Sequence, residues 1–258
     1  MTRLDWMAEV GAALLDLALP CRCAGCGRGI HPLCPVCVKA LRGPPWPVPA
    51  EALHDKVMSA ATSPVAAWPV GTSEAQTVIW SLPDPDERVR AVLRAFKDRT
   101  LFAVRAPLAA ALRRAVAGAL RDAPVGTRVL PVPSRTSALA RRGFDPLGEL
   151  CRGMPLVSPG GVRWQRVVRD QRGLTAAARR ENLRAAFAVD PGAVAGRTWV
   201  LCDDVTTTGA TLAELRRAVV AADGRVCGGA ALVVVPRSQR SERGVGNTGR
   251  PAEAPGER

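Results

Sequence analysis

Two carboxylates and a run of hydroxyl residues stand next to one another late in the sequence. Asp203 and Asp204 follow the apolar residues 198–202, and residues 205–211 (VTTTGAT) lead into an amphipathic helical pattern. A strand, a loop and a helix in this order place the loop at the carboxyl end of a strand, where open α/β sheets bind ligands. The carboxylates can accept hydrogen bonds from vicinal sugar hydroxyls, and the start of the helix can bind a phosphate through its N–H groups. The sequence therefore predicts a site for a ribose 5-phosphate.

Two alternatives to a ribose 5-phosphate site are another type of phosphate-binding loop and a purely structural helix cap. The chain contains neither G-x-x-x-x-G-K-[ST] nor a G-x-G-x-x-G that opens a helix after a strand, so two other phosphate loops are excluded. The acids and threonines could also serve only to cap the helix. A cap needs one such residue, whereas this segment has two acids and several threonines in succession, which favours ligand binding.

The cysteines near the N-terminus have the spacing of a metal site. Cys23 and Cys26 form one C-x₂-C pair and Cys34 and Cys37 a second, with seven residues between the pairs. Four thiolates at this spacing can close a tetrahedral Zn²⁺ site with no open position, which is typical of structural zinc. A redox dithiol is the alternative, and Cys21 or His31 could replace a ligand. Three further cysteines lie on apolar segments and are expected to pack as small hydrophobic residues: Cys151, Cys202 and Cys227.

The elements that must position these residues follow from hydrophobic periodicity. The pattern predicts a helix over 4–19, strands over 65–70 and 77–82 joined by a turn, helices from 87 and over 102–120, and a short strand at 128–133. From residue 198 the order is strand, loop, helix (211–222) and strand (226–235). This βαβ unit predicts an α/β fold with a parallel sheet flanked by helices. Residues 43–49 (GPPWPVP) are too rich in proline for a helix or a central strand, so we expect an extended linker there.

These elements divide the chain into four expected parts. Residues 1–42 form the N-terminal helix and zinc module, 43–64 the linker, 65–236 the α/β domain and 237–258 a polar, disordered tail. The chain has 258 residues, a net charge of +13, and only three lysines, Lys39, Lys56 and Lys97. Half or more of this charge lies in residues 135–184, which favours anionic partners, although a GC-rich genome would also replace lysine with arginine. With no long apolar stretch and no secretory signal, we expect a cytoplasmic protein.

The segment DDVTTTGAT at residues 203–211 resembles the phosphoribosyl pyrophosphate (PRPP) motif of type I phosphoribosyltransferases. The resemblance implies a type I phosphoribosyltransferase-like fold in which Asp203 and Asp204 contact the ribose hydroxyls and the Mg²⁺-bound substrate. It further implies that the 5-phosphate is held by Thr207, Thr208, Gly209, Ala210 and Thr211. A loop containing Ser134 and Arg135 would bind the pyrophosphate.

A wider resemblance covers about residues 20–236. The segments VLPVPSR (129–135), RRGFD (141–145), QRGLT (171–175) and RRENLRAAF (179–187), together with the N-terminal cysteines, are similar to the ComF family of competence-related phosphoribosyltransferase-like proteins. The resemblance implies a hood of arginines over the site, comprising Arg141, Arg142, Arg172, Arg179 and Arg180, of which Arg142 and Arg179 are the expected phosphate contacts. Asp145 and Pro146 stand where the family usually has Asn-Gln, and Asp before Pro also suits a helix start.

This resemblance implies two functions. In the first, the chain is a Mg²⁺-dependent enzyme that transfers phosphoribosyl from PRPP to a nitrogen base, with Asp203, Asp204 and Arg142 as catalytic residues. In the second, it is a non-catalytic PRPP- or nucleotide-binding adaptor in DNA uptake, with a DNA-uptake helicase or another competence protein as partner. The intact motif favours the first, and the lack of a base-selecting segment together with the appended zinc module favours the second. Direct DNA binding is a third hypothesis, weakened by the scarcity of aromatic residues.

Overall fold

The computed structural model describes residues 22–49, 78–82, 87–154, 161–165 and 182–235. Several sequence predictions lie outside these residues, namely the helix over 4–19, the strand over 65–70 with its turn, and the tail from 237. The same holds for four individual residues of interest: Cys21, Arg172, Arg179 and Arg180. The domain boundaries stay predictions.

The described elements are short helices and strands in an alternating order. In chain order they are α1 (Pro35–Ala40), β1 (Trp46–Pro49), β2 (Val78–Ser81), α2 (Glu87–Arg99), a 3₁₀ turn (Phe102–Val104), α3 (Arg105–Leu120), β3 (Arg128–Pro131), α4 (Thr136–Arg142), α5 (Pro146–Cys151), β4 (Val162–Trp164), β5 (Phe187–Val189), α6 (Pro191–Val194), β6 (Thr198–Thr206), α7 (Ala210–Ala221) and β7 (Arg225–Val234). The helices predicted from residue 87 and over 102–120 and the strands at 77–82 and 128–133 are confirmed, with small shifts of their ends.

Five of the strands form one mostly parallel sheet in the order β1-β2-β7-β6-β3. β2, β7, β6 and β3 pair in parallel, and β1 pairs antiparallel with β2 at the edge. The β6-α7-β7 unit confirms the predicted βαβ pattern and the mixed α/β class. The strand β6 runs through Thr206, past the end predicted at residue 202, because β7 pairs with it as far as Thr206 opposite Val234. Asp203 and Asp204 are therefore part of the strand itself, near its carboxyl end.

Helices pack on both faces of this sheet. Side chains of successive residues on a strand point to opposite faces, and Ile79 and Trp80 of β2 show which helix covers which face. The Trp80 ring lies against Gly118 of α3, where there is no room for a Cβ atom. On the other face, Ile79 and Leu212 of α7 both approach Gly229 of β7. The sheet is thus sandwiched between α3 and α7, and the strand residues Val200 and Leu201 of β6 are fully buried between them.

The proline-rich segment is extended, as predicted, and is paired with the sheet along Trp46–Pro49 instead of running as a free linker. Its position explains why prolines are tolerated there, since an edge strand has one row of backbone groups without a partner strand. Val48 of this strand is 7% exposed and belongs to the same core as Leu41 and Ala24, which come from the cysteine segment. The cysteine segment therefore shares the hydrophobic core of the sheet.

Within the described residues, no helix combines the length and the apolar character that a membrane crossing requires.

Candidate functional site

The four N-terminal cysteines converge on one point. The Sγ atoms of Cys23, Cys26, Cys34 and Cys37 all lie within 4.8 Å of one another, and those of Cys26 and Cys34 are 3.7 Å apart. Four thiolates around a tetrahedral Zn²⁺, each with a Zn–S bond of about 2.3 Å, have their sulfurs about 3.8 Å apart. The cluster could therefore hold a metal ion such as zinc, as its spacing predicts. His31 is exposed and is not part of the cluster.

Backbone groups shape this cluster. The Cys34 N–H donates to Cys23 Sγ at 3.3 Å, and the Gly27 N–H donates to the Cys23 carbonyl at 2.8 Å, which closes the first knuckle. Gly27 has φ +72°, a conformation that glycine adopts most readily. Gly25 is required for a different reason, because a Cβ atom there would lie 2.6 Å from Cys37 Sγ. A positive φ thus accounts for one glycine of this segment, and a close approach accounts for the other.

The acidity of the thiols is uneven. Burial acts to raise the pKa of Cys23, but N–H groups of Cys26, Cys34 and Gly25 outweigh it and lower this pKa from 9.0 to about 6. Burial raises the pKa of Cys37, and the neighbouring thiols raise it further. The backbone N–H groups therefore stabilise the Cys23 thiolate, whereas the Cys37 thiol would lose its proton when a metal ion binds.

A second group of polar side chains lies at the carboxyl end of the sheet. Asp203 and Asp204 lie near the carboxyl end of β6. The loop after β3 leaves the sheet beside them, since the Val132 N–H donates to the Cys202 carbonyl at 2.8 Å. The Asp204 N–H in turn donates to Asp203 Oδ1 at 2.8 Å. The pairing of two parallel strands thus brings together the carboxylates and the loop that carries Ser134 and Arg135, which the sequence predicted separately.

An open cleft of about 1110 Å³ lies at this edge. Six of the predicted site residues line it: Ser134, Arg135, Arg142, Asp203, Asp204 and Thr211. Arg141 lines it as well, whereas Arg179 lies outside the described residues. Thr207, Thr208 and Gly209 form the connection from β6 to α7, and Ala210 is the first residue of α7. These four residues do not line the cleft, and Thr208 and Ala210 are each 8% exposed.

The connection between β6 and α7 has the backbone of a tight turn. Gly209 is the residue before the helix and has φ +70°, and its carbonyl accepts from the Ala213 N–H at 2.8 Å. The Thr208 hydroxyl accepts from the Ala210 N–H at 3.4 Å. The Thr208 hydroxyl is thus engaged with the helix start, and Thr211 is the threonine of this run that faces the cleft.

The loop after β3 is held by a tryptophan that sequence reasoning did not select. Trp164 of β4 donates its indole N–H to the Pro133 carbonyl at 2.8 Å, and the Arg135 guanidinium lies over its ring at 5.1 Å from the centroid. Ser134 donates its hydroxyl to Asp145 Oδ1 at 2.6 Å. Asp145 precedes α5 with Pro146 in its first turn, as predicted, although its carboxylate accepts from Ser134 and makes no capping bond.

The last turn of α2 supplies two further cleft residues that were not predicted. Lys97 is ion-paired with Asp204, and Asp98 is ion-paired with Arg142 at 3.3 Å. Lys97 is one of only three lysines in an arginine-rich chain, and this rarity was the available indication in the sequence.

The cleft combines charges of both signs. Lys97, Arg135, Arg141 and Arg142 are cationic, and Asp98, Asp203 and Asp204 are acidic. Burial, followed by the neighbouring charge of Asp204, raises the pKa of Asp203 from 3.8 to about 7, against the opposing effect of Lys97. Near neutral pH the cleft therefore has an excess of positive charge. The cleft can therefore bind a ligand that carries an anionic group and, beside it, hydroxyl groups that donate to the carboxylates.

Comparisons with known proteins add a partial relative. No family model matches the sequence. The chain is 34% identical over 127 residues to the DNA utilization protein YhgH of Salmonella typhi. This similarity covers 44% of the present chain and 55% of that relative, so the chain spans little more than half of its length.

Proposed function

We propose that this chain is a PRPP-binding protein with a structural zinc module that acts in DNA utilization. The proposal rests on one observation. The paired carboxylates Asp203 and Asp204 line the same cleft as Arg135 and Arg142, at the carboxyl edge of the sheet. A ligand that suits it has vicinal hydroxyls for the carboxylates and phosphoryl groups for the arginines. PRPP has both.

The arrangement suggests how such a ligand would lie. The ribose hydroxyls would donate to Asp203 and Asp204 at the end of β6. The 5-phosphate would lie toward Thr211 at the start of α7, where the helix dipole favours an anion. The pyrophosphate would lie toward Arg135, whose guanidinium is held over Trp164 and can pair with phosphate oxygens in a bidentate way. For the ribose and the pyrophosphate this is the placement that the resemblance to type I phosphoribosyltransferases implies, whereas of the five residues implied for the 5-phosphate only Thr211 lines the cleft.

The two metal ions of the proposal have different roles. Zn²⁺ would bind the thiolates of the four-cysteine cluster and hold residues 22–41 in shape, since a closed set of four sulfurs leaves no position for water. Mg²⁺ would enter with PRPP as the usual counterion of its pyrophosphate, and oxygen ligands such as the carboxylate of Asp203 suit it. The proposal assigns no chemical step to either ion.

The role in DNA utilization is supported by the name of the partial relative and by the resemblance to the ComF family. The adaptor form of the proposal follows from these two likenesses: PRPP or a nucleotide would occupy the cleft, and the cysteine module would dock a partner in DNA uptake such as a helicase. The exposed Ile30 and Val36 of this module, at 71% and 59%, offer apolar contacts for such a partner.

A second candidate is transfer of phosphoribosyl to a nitrogen base. It is favoured by the volume of the cleft, about 1110 Å³, which is slightly above the usual range for small-molecule sites and leaves room for a base beside PRPP. In this reaction a base nitrogen displaces pyrophosphate from the anomeric carbon. Arg135 and Arg142 would stabilise the negative charge that builds on the leaving oxygens.

A pair of measurements separates the two candidates. Calorimetric titration of the full chain with PRPP and MgCl₂, with unphosphorylated ribose as the control ligand, tests the shared claim of PRPP binding. Pyrophosphate release is then followed with a panel of purine and pyrimidine bases. Binding without release supports the adaptor, binding with base-dependent release supports the enzyme, and no preference for PRPP over ribose would contradict both.

A further inference from the structure

The end of α2 is tied to two different walls of the cleft. Lys97 pairs with Asp204 on β6, and the next residue, Asp98, pairs with Arg142 on α4. The side chains of Lys97 and Asp204 are 20% and 16% exposed, whereas that of Asp98 is 48% exposed. The Lys97 pair is therefore the more enclosed of the two, and it covers one of the carboxylates that the proposed function assigns to the ribose.

Packing fixes the direction of Lys97. The preceding residue, Phe96, is fully buried, and its ring makes edge contacts with Phe102 at 5.9 Å and Phe144 at 5.4 Å between centroids. Phe144 lies just before α5, so this aromatic cluster holds the end of α2 against the chain that follows α4. Lys97 therefore lines the cleft together with Arg135 and Arg142, and its neighbour Asp98 pairs with Arg142.

We propose that Lys97 is a ligand-binding residue that selects for a phosphoryl group on carbon 1 of the sugar. The inference rests on the proposed function of PRPP binding. When the ribose hydroxyls bind Asp204, they replace Lys97 as its hydrogen-bond donors. The ammonium group then turns to the phosphate oxygens that lie on its own side of the cleft, beside Arg142 and Arg135.

This exchange has a physical reason. An ammonium that has lost its carboxylate inside a partly enclosed cleft must find another anion, because an unpaired charge there is costly. PRPP supplies that anion in its pyrophosphate, whereas ribose 5-phosphate supplies its phosphate only at the opposite end, toward α7. Lys97 therefore increases the affinity for a ligand with negative charge on carbon 1 and decreases the affinity for a ligand without it.

The test compares these two ligands on three full-length variants. Calorimetric titrations with PRPP and with ribose 5-phosphate are made on the wild-type chain, Lys97→Met and Lys97→Arg. Lys39→Met removes an exposed lysine from α1 and is the matched control for the loss of one positive charge. Thermal melting of each variant checks that the fold is kept.

We expect Lys97→Met to lose about 10- to 100-fold in affinity for PRPP, the range for a hydrogen bond to a charged group, and about 3-fold or less for ribose 5-phosphate. Lys97→Arg should retain most of the preference, and Lys39→Met should match the wild type. An equal loss for both ligands, or no loss, would overturn the proposal and leave Lys97 as a counterion of Asp204. If the wild type binds neither ligand, the proposed function fails as well, and that outcome is distinct from a failure of Lys97 alone.

Discussion

Gly25→Ala tests whether the four cysteines form a metal site of fixed shape. A Cβ atom at this position would lie 2.6 Å from Cys37 Sγ, 3.1 Å from Cys37 Cβ and 3.3 Å from a methyl carbon of Val92 on α2. Cys37 is 1% exposed and Val92 is fully buried, so neither can move away freely. Overpacking of this kind costs about 1–3 kcal/mol, which corresponds to about 5- to 150-fold in a dissociation constant.

The assay is titration with Co²⁺, whose visible absorption reports tetrahedral thiolate coordination, followed by displacement with Zn²⁺. We expect the wild-type chain to develop this absorption and Gly25→Ala to bind Co²⁺ at least 5-fold more weakly. Gly192→Ala is the matched control, since its Cβ would lie 3.4 Å from Asp190 Oδ1, far from the cysteines in sequence. A Gly25→Ala variant that binds Co²⁺ within twofold of the wild type would refute the packing argument.

Two further predictions concern the acidic residues near the cleft. Because the pKa of Asp203 is raised to about 7, the folded chain keeps a proton that the unfolded chain releases near pH 4. The contribution of this carboxyl group to stability is therefore present below about pH 4 and is lost as the pH rises through 7. Asp203→Asn cannot ionise, and its melting temperature should exceed that of the wild type at pH 8 by more than at pH 5, whereas a constant difference would contradict the shift. Asp145→Asn keeps an oxygen acceptor for Ser134, so we expect the free energy of unfolding, measured in urea, to change by less than about 1 kcal/mol. The affinity for PRPP should rise roughly 2- to 5-fold, because the substitution removes one screened negative charge beside an anion site. Calorimetry that shows weaker PRPP binding for Asp145→Asn would count against the pyrophosphate loop.

Local patterns predicted much of the fold. The helix from residue 87 and the β6-α7-β7 unit could be inferred because their apolar spacing and flanking residues agree with the final packing. The cysteine cluster could be inferred because its geometry depends on short spacings along the chain. The exact end of β6 could not be inferred, since it depends on how far β7 pairs with β6.

The residues that the sequence did not reveal belong to contacts between distant segments. Lys97 meets Asp204 only because the Phe96 cluster holds α2 beside the sheet edge, and Trp164 meets Arg135 only because β4 reaches the loop after β3. The carboxylates were predicted from the strand-loop-helix pattern, and the loop arginine was predicted from the resemblance to type I phosphoribosyltransferases. Their joint position in one cleft required the pairing of β3 with β6.

The proposed PRPP site is tested most directly by calorimetric titration of PRPP, in MgCl₂, into the wild-type chain and Asp204→Asn. Asp122→Asn, which changes an exposed acid outside the cleft, is the control. The account predicts that the wild type and the control bind PRPP alike and that Asp204→Asn loses about tenfold or more in affinity, because a charged acceptor for the ribose hydroxyls is gone. Equal PRPP affinity in all three chains, or no binding in any of them, would contradict it.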